Sequence, residues 1–119
     1  MFALTSSMTY YLCPHNVDMR KGIYSLYQIV RSDMGRNPLL GEVFLFLGKK
    51  RDTLKILNWQ KDGFVLYIKK LEQGTFEAPG FNPESGGYEM KWATFILIME
   101  GVALGSATYR KRFVARLSI

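Results

Sequence analysis

Three short groups of cations carry most of the chemistry that this 119-residue chain can offer. They are Arg20-Lys21, Lys49-Lys50-Arg51, and Arg110-Lys111-Arg112 with Arg116 close behind. Clustered Lys and Arg are suited to holding phosphate, through charge-assisted hydrogen bonds, rather than to breaking bonds. The tail group lies between Tyr109 and Phe113 and is the densest basic patch, a pattern that fits nucleic acid. Lys49-Lys50-Arg51 fits a solvated turn and a phosphate contact equally well. Asp18-Met19-Arg20-Lys21 also reads two ways. Asp18 can cap a helix whose first turn carries two solvated cations, at a cost of roughly a few tenths of a kcal/mol against the helix dipole. Alternatively, those cations sit where they cost stability because they meet a phosphate, which the free amides at that end would also attract.

Catalytic sets are harder to assemble. Cys13 and His15 lie two apart and can face one way, but a zinc site needs about four ligands and no further Cys or His exists. A buried thiol beside an exposed imidazole is the plainer reading. Glu89 and Lys91 form an isolated Glu-x-Lys, a tripeptide common by chance, and metal-assisted cleavage of DNA needs clustered acids. One histidine supports no Ser-His-Asp set, and no glycine-rich phosphate loop precedes a helix. The sequence therefore predicts no catalysis, no metal and no cofactor.

The composition points to one domain, 1–119, with a modest core, since 48% of residues are hydrophobic and 14% aromatic. No apolar run approaches the roughly 18 residues of a membrane span. The N-terminus lacks the basic start of a secretory signal, and a lone cysteine suits a reducing cytoplasm. The formal charge of +6 is uneven: the last ten residues hold four cations and no acid.

The positioning elements follow from spacing. Thr9 to Cys13 is short, aromatic and β-prone, and Pro14 ends it. Ile23, Leu26, Tyr27, Val30 and Met34 recur at helical spacing, predicting an amphipathic helix over Met19–Met34, capped by Asn16 or Asp18 and ended near Gly35. Val43 to Leu47 is apolar throughout, as in a strand covered on both faces. "GKKRD" and "QKDG" make two turns, with Asp62-Gly63 supplying the positive φ of a tight hairpin. Leu57, Trp59, Phe64, Leu66 and Ile68 then share the core face, while Ile56, Asn58, Tyr67 and Lys69 share the other. Lys55 and Lys70 have core-face parity at strand ends, where their stems can snorkel to water. Residues 77–88 read as a Gly/Pro-rich loop and 89–119 as a C-terminal helix and basic tail. Trp92 to Met99 is a buried helix or a buried strand; its length and Gly101 favour helix. The tail fits helix or strand. The fold class is α+β: an antiparallel sheet of three or four strands packed against the N-terminal helix.

Over residues 8–79 the chain resembles the small TnpB accessory protein of the insertion-sequence family sixty-six of bacterial transposable elements, which is distinct from the RNA-guided nuclease sharing that name. The resemblance rests on Asp18-Met19-Arg20-Lys21, Phe44-x-Phe46, Lys49-Lys50-Arg51, Leu54-Lys55-x-Leu57-x-Trp59, Asp62-Gly63, and Lys69, Leu71, Glu72, Gly74, Phe76 and Pro79. Lys70 replaces the usual Arg, and Ala78 replaces an aromatic. The resemblance implies an accessory factor of DNA transposition, with no established catalytic residues. Its expected partner is element DNA, or the transposase or another element-encoded protein.

Overall fold

The computed structural model describes residues 4–77 and 88–101. Among them, β1 (Tyr10–Leu12), β2 (Val43–Leu47), β3 (Thr53–Gln60), β4 (Gly63–Lys70) and β5 (Tyr88–Met90) form one sheet in the order β4-β3-β2-β1-β5. Helix α1 (Ile23–Ser32) and a 3₁₀ turn (Pro38–Leu40) lie between β1 and β2, and α2 (Trp92–Glu100) follows β5.

The expected antiparallel sheet of three or four strands is thus a five-stranded sheet with one parallel pair. β1 pairs in parallel with β2, joined through α1, while the remaining pairs are antiparallel. A parallel pair needs a crossover, which α1 supplies. β5 escaped the sequence reading because three residues are too few to display an alternating pattern.

The β3–β4 hairpin has the expected facing, with Trp59 opposite Phe64, Leu57 opposite Leu66 and Ile56 opposite Tyr67. Its turn differs from expectation. The positive φ falls on Lys61, at 62°, and Gly63 pairs with Gln60 inside the ladder. The Asp62 N–H donates to the Gln60 carbonyl at 2.6 Å, closing a three-residue turn around Lys61.

Helix α1 begins at Ile23, four residues later than predicted, with Gly22 as its N-cap and no side-chain cap. The reason is local. Asp18 accepts the Arg20 N–H at 2.9 Å, and the Asp18 carbonyl accepts the Lys21 N–H at 3.1 Å, so residues 18–21 fold on themselves. Arg20 and Lys21 precede the helix rather than occupy its first turn, and the dipole cost expected of them does not arise. Past Ser32 the chain turns at Gly35, whose φ of 63° lets the Arg36 N–H reach the Val30 carbonyl at 3.1 Å.

Both faces of β2 are covered. Tyr11, Phe44, Phe46 and Leu57 pack with Leu26, Val30 and Met34 on the α1 side. Tyr10, Leu12, Leu45, Leu54 and Ile56 pack with Phe95 and Ile98 on the α2 side. Tyr10 stacks on Phe95 with ring centroids 4.5 Å apart. Trp59 is only half-buried at the rim of the α1 face, its ring edge-on to Phe64. α2 ends at Gly101, with φ of 83°, and Lys69 Nζ donates to the Met99 carbonyl at 3.1 Å, placing a cation on the helix C-terminus. No helix among the described residues is long and apolar enough to cross a membrane.

Candidate nucleic-acid interface

The turn between β2 and β3 carries Lys49, Lys50 and Arg51, all exposed. It is a built turn rather than a loose one. The Arg51 N–H donates to the Gly48 carbonyl at 3.0 Å, and Arg51 itself takes a φ of 60°. The chain leaving β4 returns to it. The Leu71 N–H reaches the Asp52 carbonyl and the Phe76 N–H reaches the Arg51 carbonyl, each at 2.7 Å. Gly74, with φ of 82°, bends this strap, and Phe76 anchors it by burying its ring completely. The strap fixes the backbone from which the three cations project.

The second cationic group is brought to the same end of the sheet. After β1 the chain keeps running beside β2: the Cys13 N–H donates to the Leu45 carbonyl at 2.8 Å and the Val17 N–H to the Leu47 carbonyl at 2.9 Å. Met19 then lies on Gly48, where an added Cβ would stand 2.6 Å from the Met19 Cγ. Gly48→Ala must displace the Met19 side chain or the segment that carries it. We expect a loss of about 1–3 kcal/mol, the usual cost of overpacking, measured by urea denaturation; an unchanged midpoint would show that Met19 moves freely.

Lys55 corrects the sequence reading. Rather than snorkelling to water it is 7% exposed, and its Nζ donates to the Lys21 carbonyl at 2.8 Å. It ties the Arg20-Lys21 backbone to β3. Alternation put Lys55 on the core face but carried no sign of the carbonyl waiting there. Lys70 stays exposed and pairs with Asp52 at 3.1 Å, a partner that holds the Asp52 carboxyl below its ordinary range. Arg20 clasps Asp18 through its guanidinium, 2.6 Å at the shortest contact, and lowers the Asp18 pKa far below the carboxylate range. Both acids beside the cleft are therefore already engaged by cations.

Between these parts opens a cleft of about 560 Å³, lined by Asn16, Asp18, Met19, Lys49, Lys50 and Lys70 among others. Three lysines and two aspartates, Asp18 and Asp52, face it, and no group of three or more metal-ligating side chains occurs among the described residues. Arg110, Lys111, Arg112 and Arg116 lie outside the described residues, as does most of the 77–88 loop.

Cys13 and His15 do come together, with Sγ 3.8 Å from Nε2. The same Nε2 meets Asp33 Oδ2 at 2.7 Å, while Nδ1 meets the Asn16 carbonyl at 2.9 Å. A relay to the thiol would need opposite ring nitrogens for thiol and carboxylate. Burial also pushes the Cys13 thiol up to about 11, which keeps it protonated and inert. With acceptors on both ring nitrogens, the imidazolium form is favoured. The Asn16 carbonyl first, and Asp33 next, raise the His15 pKa, while His15 lowers that of Asp33. The raised histidine stabilises the fold below its ordinary pKa and loses that contribution as pH climbs through the folded value. The lowered aspartate contributes above its ordinary value and loses it as pH falls through the folded one. The pair is thus strongest in weakly acidic solution. His15→Ala should cost at most about 1 kcal/mol there, as for other exposed pairs, and less by pH 8; a difference in melting temperature that grows with pH would contradict this assignment. Glu89, the other candidate, accepts the Tyr11 hydroxyl at 3.3 Å and stands on β5, across the sheet order from the basic turn.

The family model described as IS66 Orf2 like protein matches residues 8–108, extending the resemblance past Pro79 and through α2. Two uncharacterized proteins of Sinorhizobium fredii (strain NBRC 101917 / NGR234) are similar. One, y4jC, is 33% identical over 86 residues, covering 72% of each chain. The other, y4hO, is 31% identical over 87 residues, covering 73% of this chain and 74% of its own. No solved structure matches. The chain belongs to the IS66 Orf2-like family and is a transposition-associated accessory protein.

Proposed function

We propose that this protein binds DNA of its element through phosphate contacts at the basic end of the sheet, without catalysing a reaction. The observation that supports this reading is the convergence of two cationic groups far apart in sequence. The Asp18–Lys21 segment and the Lys49–Arg51 turn are held side by side by Met19 on Gly48 and by the Lys55–Lys21 hydrogen bond. Neighbouring acids are occupied by Arg20 and Lys70, so added phosphate would not meet a bare carboxylate. Arg20, Lys21, Lys49, Lys50 and Arg51 supply the contacts, joined by Arg110, Lys111, Arg112 and Arg116 of the tail. Such contacts carry no base information, so sequence preference is weak.

The test is titration of a labelled duplex across a salt series. Binding in the micromolar range at low salt, with log Kd linear in log salt, is expected. Absence of binding at low salt would transfer the role to an adaptor docking on the transposase or another element-encoded protein. That second reading has its own support in Leu39 and Leu40, exposed apolar side chains on the 3₁₀ turn.

A further inference from the structure

The basic end of the sheet continues into a wall that phosphate binding alone does not use. Helix α1 carries no acidic residue, and neither does β4. Tyr27 meets Phe64 of β4 edge-on, with centroids 5.7 Å apart, so this flank of α1 faces β4. Helical spacing puts Tyr24 one turn before Tyr27 on the same flank, and Arg31 one turn beyond it. Tyr24 is 81% exposed, an unusual position for a large ring with no core role. Along β4, Ile68 is the next same-face residue after Leu66, towards the basic end, and is 59% exposed. Lys70 and Lys21 close the wall at that end: Ile68 pairs with Lys55, whose Nζ holds the Lys21 carbonyl, and Lys70 pairs with Thr53.

An exposed ring flanked by cations, on a helix and a strand that carry no acid of their own, is the equipment of a single-strand binder. The cations track the backbone while the ring offers a stacking face to any base. In a duplex that face is unusable, because the bases are already stacked on each other. We propose that the α1–β4 flank, with Tyr24 as its stacking platform, takes unpaired bases of a DNA strand whose phosphates lie on Lys21, Lys70 and the Lys49–Arg51 turn. This assignment rests on the phosphate-binding reading above and narrows its ligand to DNA with an unpaired segment.

The experiment compares three labelled probes of equal length at low salt: oligothymidylate, a blunt duplex, and a duplex with a single-stranded overhang. The full chain should bind oligothymidylate and the overhang more tightly than the blunt duplex. Tyr24→Ala should weaken those two by roughly 5- to 100-fold, the range for losing one base–aromatic stack, and leave the blunt duplex within about twofold. Tyr24→Phe keeps the ring and should retain parental affinity for all three. Because Tyr24 is exposed, its variants should melt like the parent, and a melting curve on each preparation checks that. If Tyr24→Ala changes no probe, or weakens all three alike, the stacking assignment is overturned while phosphate binding stands. If the parent binds none of the probes at low salt, phosphate binding itself fails, and the flank becomes a protein contact.

Discussion

Phe44→Ala will lower the stability of this domain by about 3–5 kcal/mol, the range for truncating a fully buried aromatic. Phe44 stands on β2, the central strand, and has no exposed surface. Its ring stacks on Tyr11 at 5.8 Å, and its backbone partners are Tyr11 on one side and Leu57 on the other. Nothing nearby is free to collapse into the space, because the layer is pinned above by Leu26 and Val30 of α1. A loss of that size is a large share of the about 5–15 kcal/mol that holds a typical domain together. Trp59→Ala offers the contrast. Trp59 is the larger residue, but it is half-buried at the sheet rim, and its removal should cost about 1–2 kcal/mol, in line with partial burial. Urea denaturation of both variants decides the matter. Equal midpoints, or a Trp59 variant weaker than the Phe44 variant, would mean that the core is centred on the hairpin rather than on β2.

That contrast also marks where the sequence was legible. Alternation along Leu54–Lys70 specified which residues share a face, because a period of two leaves only two registers to choose between. It could not specify depth. Trp59 and Leu57 have the same parity, yet Leu57 lies under α1 and Trp59 beyond its shelter. The continuous apolar run of β2 signalled cover on both faces, and α2 provides the second cover. The parallel β1–β2 pair was hidden because three residues of β1 carry no record of strand direction. At the candidate site the cations could be read as groups, but their meeting could not. Asp18 has the side chain of a helix cap and instead folds back on Arg20. Lys55 looked like a strand-end lysine, and only the path of residues 13–21 beside β2 brings the Lys21 carbonyl to it. Local polar competition and long-range backbone placement leave no periodic trace in a chain.

The strongest expected effect on binding comes from the basic turn. Each phosphate neutralised on a duplex contributes about −0.9 to the slope of log affinity against log salt. Replacing Lys49, Lys50 and Arg51 together by Gln should therefore flatten the slope by about two to three units, and replacing Arg110, Lys111 and Arg112 should do about the same. At low salt either change removes orders of magnitude of affinity. The fold should survive the turn variant, because the backbone bonds of the strap run to the Arg51 and Asp52 carbonyls and not to the replaced side chains. Lys55→Met separates contact from placement. A buried lysine that grips a carbonyl meets no phosphate itself, so the slope should shift by less than about one unit. Affinity should nonetheless fall, because the Arg20-Lys21 backbone loses its tie to β3. Lys70→Gln should shift the slope by about one unit, as an exposed cation at the cleft mouth. A turn variant with the parental slope would remove Lys49–Arg51 from the interface. A Lys55 variant that flattens the slope as the turn variant does would make Lys55 a phosphate ligand, and the cleft would then have to open in the complex, since its ammonium is covered in the free protein.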